Sequence, residues 1–270
     1  MTPILSRILA RLGAGGQNTG RQRQVVTDPA AKSEDSAPAE QKTVLYDLDE
    51  FYHDLYEKGL VLSGTPDRGP KRRMRFFNLM QALEATAHLS GWVAECGCWK
   101  GLSSYLSCHY ILRHNQGFRG DRFLVIDSFE GLSAPTREDT IDLNLVVKGV
   151  VRRGRPFKSA GAYSAPMDHV ARVLEQFPEV SLVKGWIPEV LDTLPEREYR
   201  FVHVDLDLYA PILGALRYFY PRIQRGGVIV CDDYGSLFWP GAAKAVRDFC
   251  DESGATLLAN VSGQALLFRF

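Results

Sequence analysis

Residues 92–103 read WVAECGCWKGLS, an apolar run that ends on Glu95 and passes through Gly97 and Gly101 into a stretch of helical periodicity. A short apolar run bounded by glycine reads as a strand buried on both faces, with the glycines forming the tight turn into the next helix. Outward from this stretch the same alternation repeats. Apolar runs at Phe123–Ile126, Val180–Val183, Phe201–Val204 and Val228–Cys231 are separated by helical spacing at Ser103–His114, Met167–Phe177, Pro188–Leu194 and Pro211–Ile223. Further helices are expected over residues 72–88 and Ala242–Glu252. Strands alternating with helices predict βαβ units and a parallel sheet covered on both faces. Two β-rich runs, Thr256–Val261 and Ala265–Phe270, flank Ser262-Gly263-Gln264 and predict a closing antiparallel hairpin. The expected fold class is α/β, a mostly parallel, Rossmann-like central sheet with helices on both faces and a C-terminal antiparallel hairpin.

The first 43 residues differ in character. Ile4, Leu5, Ile8, Leu9 and Leu12 are spaced for a short amphipathic helix, and residues 13–42 are rich in Gly, Ala, Ser, Pro and charge. Such a segment buries too little apolar surface to offset its ordering entropy. Residues 1–43 therefore read as a flexible tail and linker, and residues 44–270 as the folded domain. A formal net charge of zero gives no global attraction to nucleic acid. No apolar run approaches the roughly 20 residues needed to span a bilayer. The five cysteines contain no C-x-x-C pair, which favours a reducing, cytoplasmic setting. The expected partner is a small molecule, and a homo-oligomer is compatible with this.

Ligands of doubly wound sheets bind beyond the carboxyl ends of the strands. Here the first loop is spaced Gly97-x-x-x-Gly101, and Trp99 stands where a pyrophosphate loop wants a small residue. That disfavours a dinucleotide and leaves room for a ligand with a single carboxylate, such as the methionine end of S-adenosylmethionine. The N–H groups of the loop and of the following helix, which starts near Ser103, suit such an anion. Glu95 reads either as a cap for the loop or as a partner of the sulfonium and ammonium groups, and the two are compatible. Asp127, followed by Ser128, is placed to accept a ribose diol, and Glu130 is an alternative. Trp186 could stack on adenine or simply pack in the core.

The fourth and fifth runs end on acids, His203-Val-Asp205-Leu-Asp207 and Asp232-Asp233-Tyr234. Parallel strands bring these ends to one edge, where clustered carboxylates repel unless a cation intervenes. A hard divalent ion such as Mg²⁺ resolves that conflict, while the bland reading of Asp232-Asp233 is a turn. Residues 130–166 form a long connection carrying Lys148, Arg152, Arg153, Arg155 and Lys158, either a lid over an acidic acceptor or a solvated face. Ser164 is a candidate helix cap.

Taken together, Glu95-x-Gly97-x-Trp99-x-Gly101-x-Ser103, the segment from Asp127 to Leu132, Lys184-Gly-Trp-Ile-Pro188, the segment from His203 to Tyr209, and Asp232-Asp-Tyr-Gly235 resemble the macrocin/novobiocin-type (TylF-like) O-methyltransferases. The resemblance runs from about residue 72 onward. It implies a class I methyltransferase fold, S-adenosylmethionine as donor, Mg²⁺ held by Asp205, Asp232 and Asp233, Asp205 as the base, and a hydroxyl acceptor of sugar or phenolic natural-product type. Cofactor contacts are then expected from Glu95, Gly97, Gly101, Ser103, Asp127, Ser128 and Trp186. Two rivals stand beside it: a metal-dependent glycosyltransferase using Asp205-x-Asp207, and an inactive methyltransferase-like binding domain.

Overall fold

The computed structural model describes residues 49–141, 145–147, 150–152 and 154–270. The expectations for residues 1–43, for a domain start at residue 44, and for Lys148 and Arg153 lie outside them. In chain order the helices are α1 (Glu50–Ser63), α2 (Pro70–Ala85), α3 (Leu102–His114), α4 (Met167–Val173), α5 (Tyr209–Phe219) and α6 (Pro240–Ser253). The strands are β1 (Trp92–Cys96), β2 (Phe123–Asp127), β3 (Leu145–Val147), β4 (Val150–Arg152), β5 (Ser181–Lys184), β6 (Tyr199–Val204), β7 (Ile223–Cys231), β8 (Thr256–Ala259) and β9 (Ala265–Phe268).

Seven strands make one sheet in the order β5-β2-β1-β6-β7-β9-β8. β5, β2, β1, β6 and β7 run parallel, and the central β2, β1 and β6 are buried on both faces. The closing hairpin joins antiparallel, with β9 inserted between β7 and β8. From β1 the chain moves outward through β2 and β5, then returns to the opposite side of β1 as β6. This reversal opens a crevice beyond the carboxyl ends of β1 and β6.

Strand pleating divides the core in two. Val93, Val125, Phe201 and Val230 pack with Tyr56 of α1, Leu79 of α2, Leu106 of α3 and Val170 of α4. Ala94, Leu124, Val202 and Ile229 pack with Ile212 and Leu216 of α5 and Val246 of α6. Among the described residues no helix is long and apolar enough to cross a membrane.

Several elements depart from the sequence reading. α1 was not anticipated, although Tyr52, Leu55, Tyr56 and Gly59 form its buried face at helical spacing. Two tyrosines and a glycine disguise that stripe. α4 stops at Val173, because Phe177 N–H bonds back to Leu174 O in a tighter turn. Its N-cap is Pro166 with no side-chain cap, so Ser164 does not cap it. Residues Glu189–Thr193 form a short 3₁₀ segment in place of a full helix. The long connection holds the antiparallel pair β3–β4.

Candidate active site

The glycine loop after β1 owes its shape to a close approach. A Cβ on Gly97 would lie 2.0 Å from Asp205 O, so only glycine lets the loop pass the end of β6. Asp205 N–H bonds Cys96 O at 2.9 Å, tying the two strand ends together. Asp127, at the end of β2, holds the loop from the other side. Its Oδ2 accepts from Cys98 N–H (2.8 Å) and Trp99 N–H (3.2 Å), and its Oδ1 from Phe129 N–H (2.7 Å). Asp127 thus performs the capping that the sequence reading offered to Glu95.

Glu95 lies elsewhere. It points from β1 toward the α1–α4 layer and is 1% exposed. One oxygen accepts from Ser104 Oγ on α3, and the other lies 2.9 Å from His203 Nδ1, its register partner on β6. His203 Nε2 is 3.6 Å from Asp232 Oδ1, beyond a good hydrogen bond but close for charges. Burial pulls the His203 pKa down, yet Asp232 and Glu95 outweigh it and push it up to about 10. The two acids that clamp His203 therefore favour its protonated form.

The acids themselves converge. Ligand atoms of Asp205, Asp207 and Asp233 all lie within 4.8 Å of one another, and so do those of His203, Asp205 and Asp232. Asp207 and Asp233 adopt left-handed backbone (φ 59° and 60°), a strain tolerated chiefly where a site demands it. Arg75 of α2 reaches this cluster, bonding Asp232 Oδ2 with one Nη and Asp233 Oδ1 with the other at 3.2 Å. Gln264, in the closing hairpin, donates to Asp232 Oδ1 at 2.8 Å. Burial works against the Asp232 carboxylate, but Arg75, His203 and Gln264 together hold its pKa below the usual range. Asp205 has no such hydrogen bond among the described residues; burial and the neighbouring charges of Asp232 and Asp233 outweigh His203 and Arg75 and raise it to about 7. Burial and Asp233 likewise raise Asp207.

These groups open onto one cavity of about 420 Å³, within the usual size for a small-molecule site. Of the residues expected from sequence, Gly97, Asp127, Ser128, Trp186, Asp205, Asp232 and Asp233 line it. Glu95, Gly101 and Ser103 do not. Ser103 is buried in the first turn of α3, and Gly101 faces Val170 and Val173 of α4. Ser128 Oγ is engaged in its own turn, donating to Gly131 O at 2.8 Å. Trp186 is 39% exposed, so its ring is free to meet a ligand. Sequence reasoning missed Arg68, Lys71, Arg72 and Arg75, which form a basic wall of the cavity. The run PKRRMR at residues 70–75 was the available signal. Asp207, three residues beyond the end of β6, also belongs to the cluster, which the sequence reading gave to Asp205, Asp232 and Asp233. The far wall is aromatic, with Phe157, Tyr163, Phe238 and Trp239.

Relatives share this arrangement of chain. An 8-demethyl-8-(2,3-dimethoxy-alpha-L-rhamnosyl)-tetracenomycin-C 4'-O-methyltransferase of Streptomyces olivaceus is 25% identical over 249 residues, 84% of this chain and 90% of that protein. The mycinamicin III 3''-O-methyltransferase of Micromonospora griseorubida is 24% identical over 67% of this chain and 69% of its own. The solved structure of the O-methyltransferase NovP has the same class I methyltransferase fold, with a TM-score of 0.60 at 21% identity, over 81% of this chain and 98% of that one. The model of one family, macrocin-O-methyltransferase (TylF), matches residues 68–269, a span that holds the glycine loop, the acid cluster and the basic wall, and the chain belongs to that family.

Proposed function

We propose that this protein transfers a methyl group from S-adenosylmethionine to a hydroxyl of a small-molecule acceptor, a sugar or phenolic natural product, with the assistance of Mg²⁺. One observation carries the proposal: in a member of an O-methyltransferase family, the glycine loop with Asp127 and the cluster Asp205, Asp207 and Asp233 line the same cavity. The activity is assigned to residues 44–270 and none of it to residues 1–43. Five free cysteines favour a cytoplasmic setting.

The residues fit both groups. An all-oxygen set of crowded carboxylates suits a hard divalent ion, and Asp205, Asp207 and Asp233, whose ligand atoms lie within 4.8 Å of one another, would hold it, with Asp232 beside them on Arg75 and Gln264. The donor would supply an electrophilic methyl on a sulfonium, and the ion would stabilise negative charge developing on the acceptor oxygen. Asp127 fixes the loop that shapes the donor half, and its Oδ1, which accepts a single N–H, retains a lone pair for a ribose hydroxyl. Trp186 offers a ring to the adenine. Phe157, Tyr163, Phe238 and Trp239 exclude water around the acceptor. Asp205 takes the acceptor's proton, as a carboxylate on the cavity wall at the end of β6. The four retained acids are more than an inactive binding domain would need.

Calorimetry with S-adenosylmethionine and S-adenosylhomocysteine in the presence of Mg²⁺ tests the central claim, with micromolar affinity expected. No binding of either would sink it. Asp205→Ala and Asp232→Ala should abolish transfer of labelled methyl to rhamnosylated or phenolic acceptors while donor affinity survives. If Asp205→Asn stays active and Asp207→Asn does not, the proton belongs to Asp207.

A further inference from the structure

The sequence led us to expect the donor's carboxylate on the N–H groups of the glycine loop and of the helix behind it. Four of the loop's N–H groups are already engaged. Cys98 and Trp99 N–H both donate to Asp127, Gly97 N–H to Ile126 O (2.9 Å), and Gly101 N–H to Cys98 O (2.8 Å). The first turn of α3 is sealed as well: Leu102, Ser103 and Ser104 are buried, and Val170 and Val173 of α4 cover Gly101. An anion entering the cavity beside Trp99 must find its counter-charge on a side chain.

Four cations line that cavity, and three are otherwise disposed. Arg75 is bound to Asp232 and Asp233. Lys71 is exposed. Arg68 lies over Trp99 and Tyr163, at 5.7 and 5.8 Å from the ring centroids, and so leans toward the aromatic wall. Arg72 remains. Its guanidinium is 5.7 Å from the Trp99 ring centroid and 5.4 Å from that of Phe76. Its Nη1 is buried with no hydrogen-bond partner among the described residues, and the same is true of nearby Tyr56 Oη. Arg72 forms no ion pair among the described residues, and burial together with Arg68 lowers its pKa against the more distant attraction of Asp205. A buried guanidinium nitrogen with no acceptor in contact is costly. A carboxylate is the anion that its planar donor fork matches best.

We infer that Arg72 is the receptor for the amino-acid carboxylate of S-adenosylmethionine, an inference that rests on the donor proposed above. The loop then supplies shape and α2 supplies charge. Trp99, in left-handed backbone at φ 46°, stands between them with its ring against the Arg72 guanidinium.

Calorimetric affinities of S-adenosylhomocysteine and its decarboxylated analogue, measured on wild type, Arg72→Met and Arg72→Lys, test this. Wild type should prefer the carboxylate-bearing ligand, and Arg72→Met should weaken that ligand on the order of ten- to a hundredfold, as for a charge-assisted bond. The analogue should bind all three proteins nearly equally, so that the preference collapses in Arg72→Met and is partly kept in Arg72→Lys. Should Arg72→Met fail to fold, the Arg72→Lys preference alone decides. Parallel losses for both ligands would make Arg72 merely structural, and an undiminished preference in either variant would place the carboxylate elsewhere; either overturns the inference. Wild type binding neither ligand would instead remove the donor proposal itself.

Discussion

Glu95 and Asp127 end neighbouring strands with the same chemistry, yet strand pleating and register give them different neighbours. Asp127 collects three backbone N–H groups and remains on the cavity wall. Glu95 is turned into the layer beneath, where it favours the protonated form of His203. Glu95→Gln keeps the shape but removes the charge, leaving His203 with one acid at 3.6 Å. Stability should fall by about 3 kcal/mol, the low end for breaking a buried pair, as read by denaturant unfolding. Donor affinity should be nearly unchanged. A lost affinity at unchanged stability would return Glu95 to the cofactor. The acids were legible in the sequence because each ends an apolar run. Which of them touch ligand was not, since the face a strand residue takes depends on register with β6, which no single run contains.

At the scale of elements, the central parallel strands were readable for a physical reason: burial on both faces leaves little polar alternation to confuse them. α1 was not readable, because its buried stripe is written in tyrosine and glycine. It nevertheless carries a clear start signal, Asp49, whose side chain accepts from Tyr52 N–H at 2.9 Å. Asp49→Ala should cost about 1 kcal/mol and lower Tm by about 2–4 °C, with turnover per folded molecule unchanged. α2 explains the other gap. Arg75 joins the acid cluster only because α2 docks across the end of β7, bringing together residues 157 positions apart in the chain. Local periodicity identified α2 as a helix but could not say what lay opposite its basic first turns.

For the whole molecule, the crevice at the strand reversal sets one cavity between a cationic helix and an anionic sheet edge. That imbalance has a thermodynamic signature. Asp205 and Asp207 have no ion pair with a guanidinium among the described residues, and Arg75 offsets their crowding only in part, so a divalent ion bound by the folded state and not by the unfolded chain should stabilise it. At a hundredfold excess over Kd the gain is about 2.7 kcal/mol, or about 5–10 °C in Tm for a domain of this size. Differential scanning calorimetry with Mg²⁺ and then with a chelator should show the rise and its reversal. A Tm indifferent to Mg²⁺ would count against the metal reading without touching the fold. The hairpin at the sheet edge was legible from Ser262-Gly263-Gln264, but its contribution to the site was not, because Gln264 meets Asp232 only after β9 has slotted in beside β7.

That insertion bears on how the protein is made. Synthesis proceeds from the N-terminus, at about 5–20 residues per second, so β1, β2, β5, β6 and β7 leave the ribosome before the strand that covers the β7 edge. Until residues 265–268 emerge, the backbone of residues 228–231 is an open edge of the kind that recruits foreign strands, and Asp232 lacks its amide donor. The acid cluster is thus completed last. A nascent chain that stalls before the hairpin would already hold its glycine loop but would have an unfinished acid cluster and an exposed edge, which makes this interval the one in which a chaperone has most to protect.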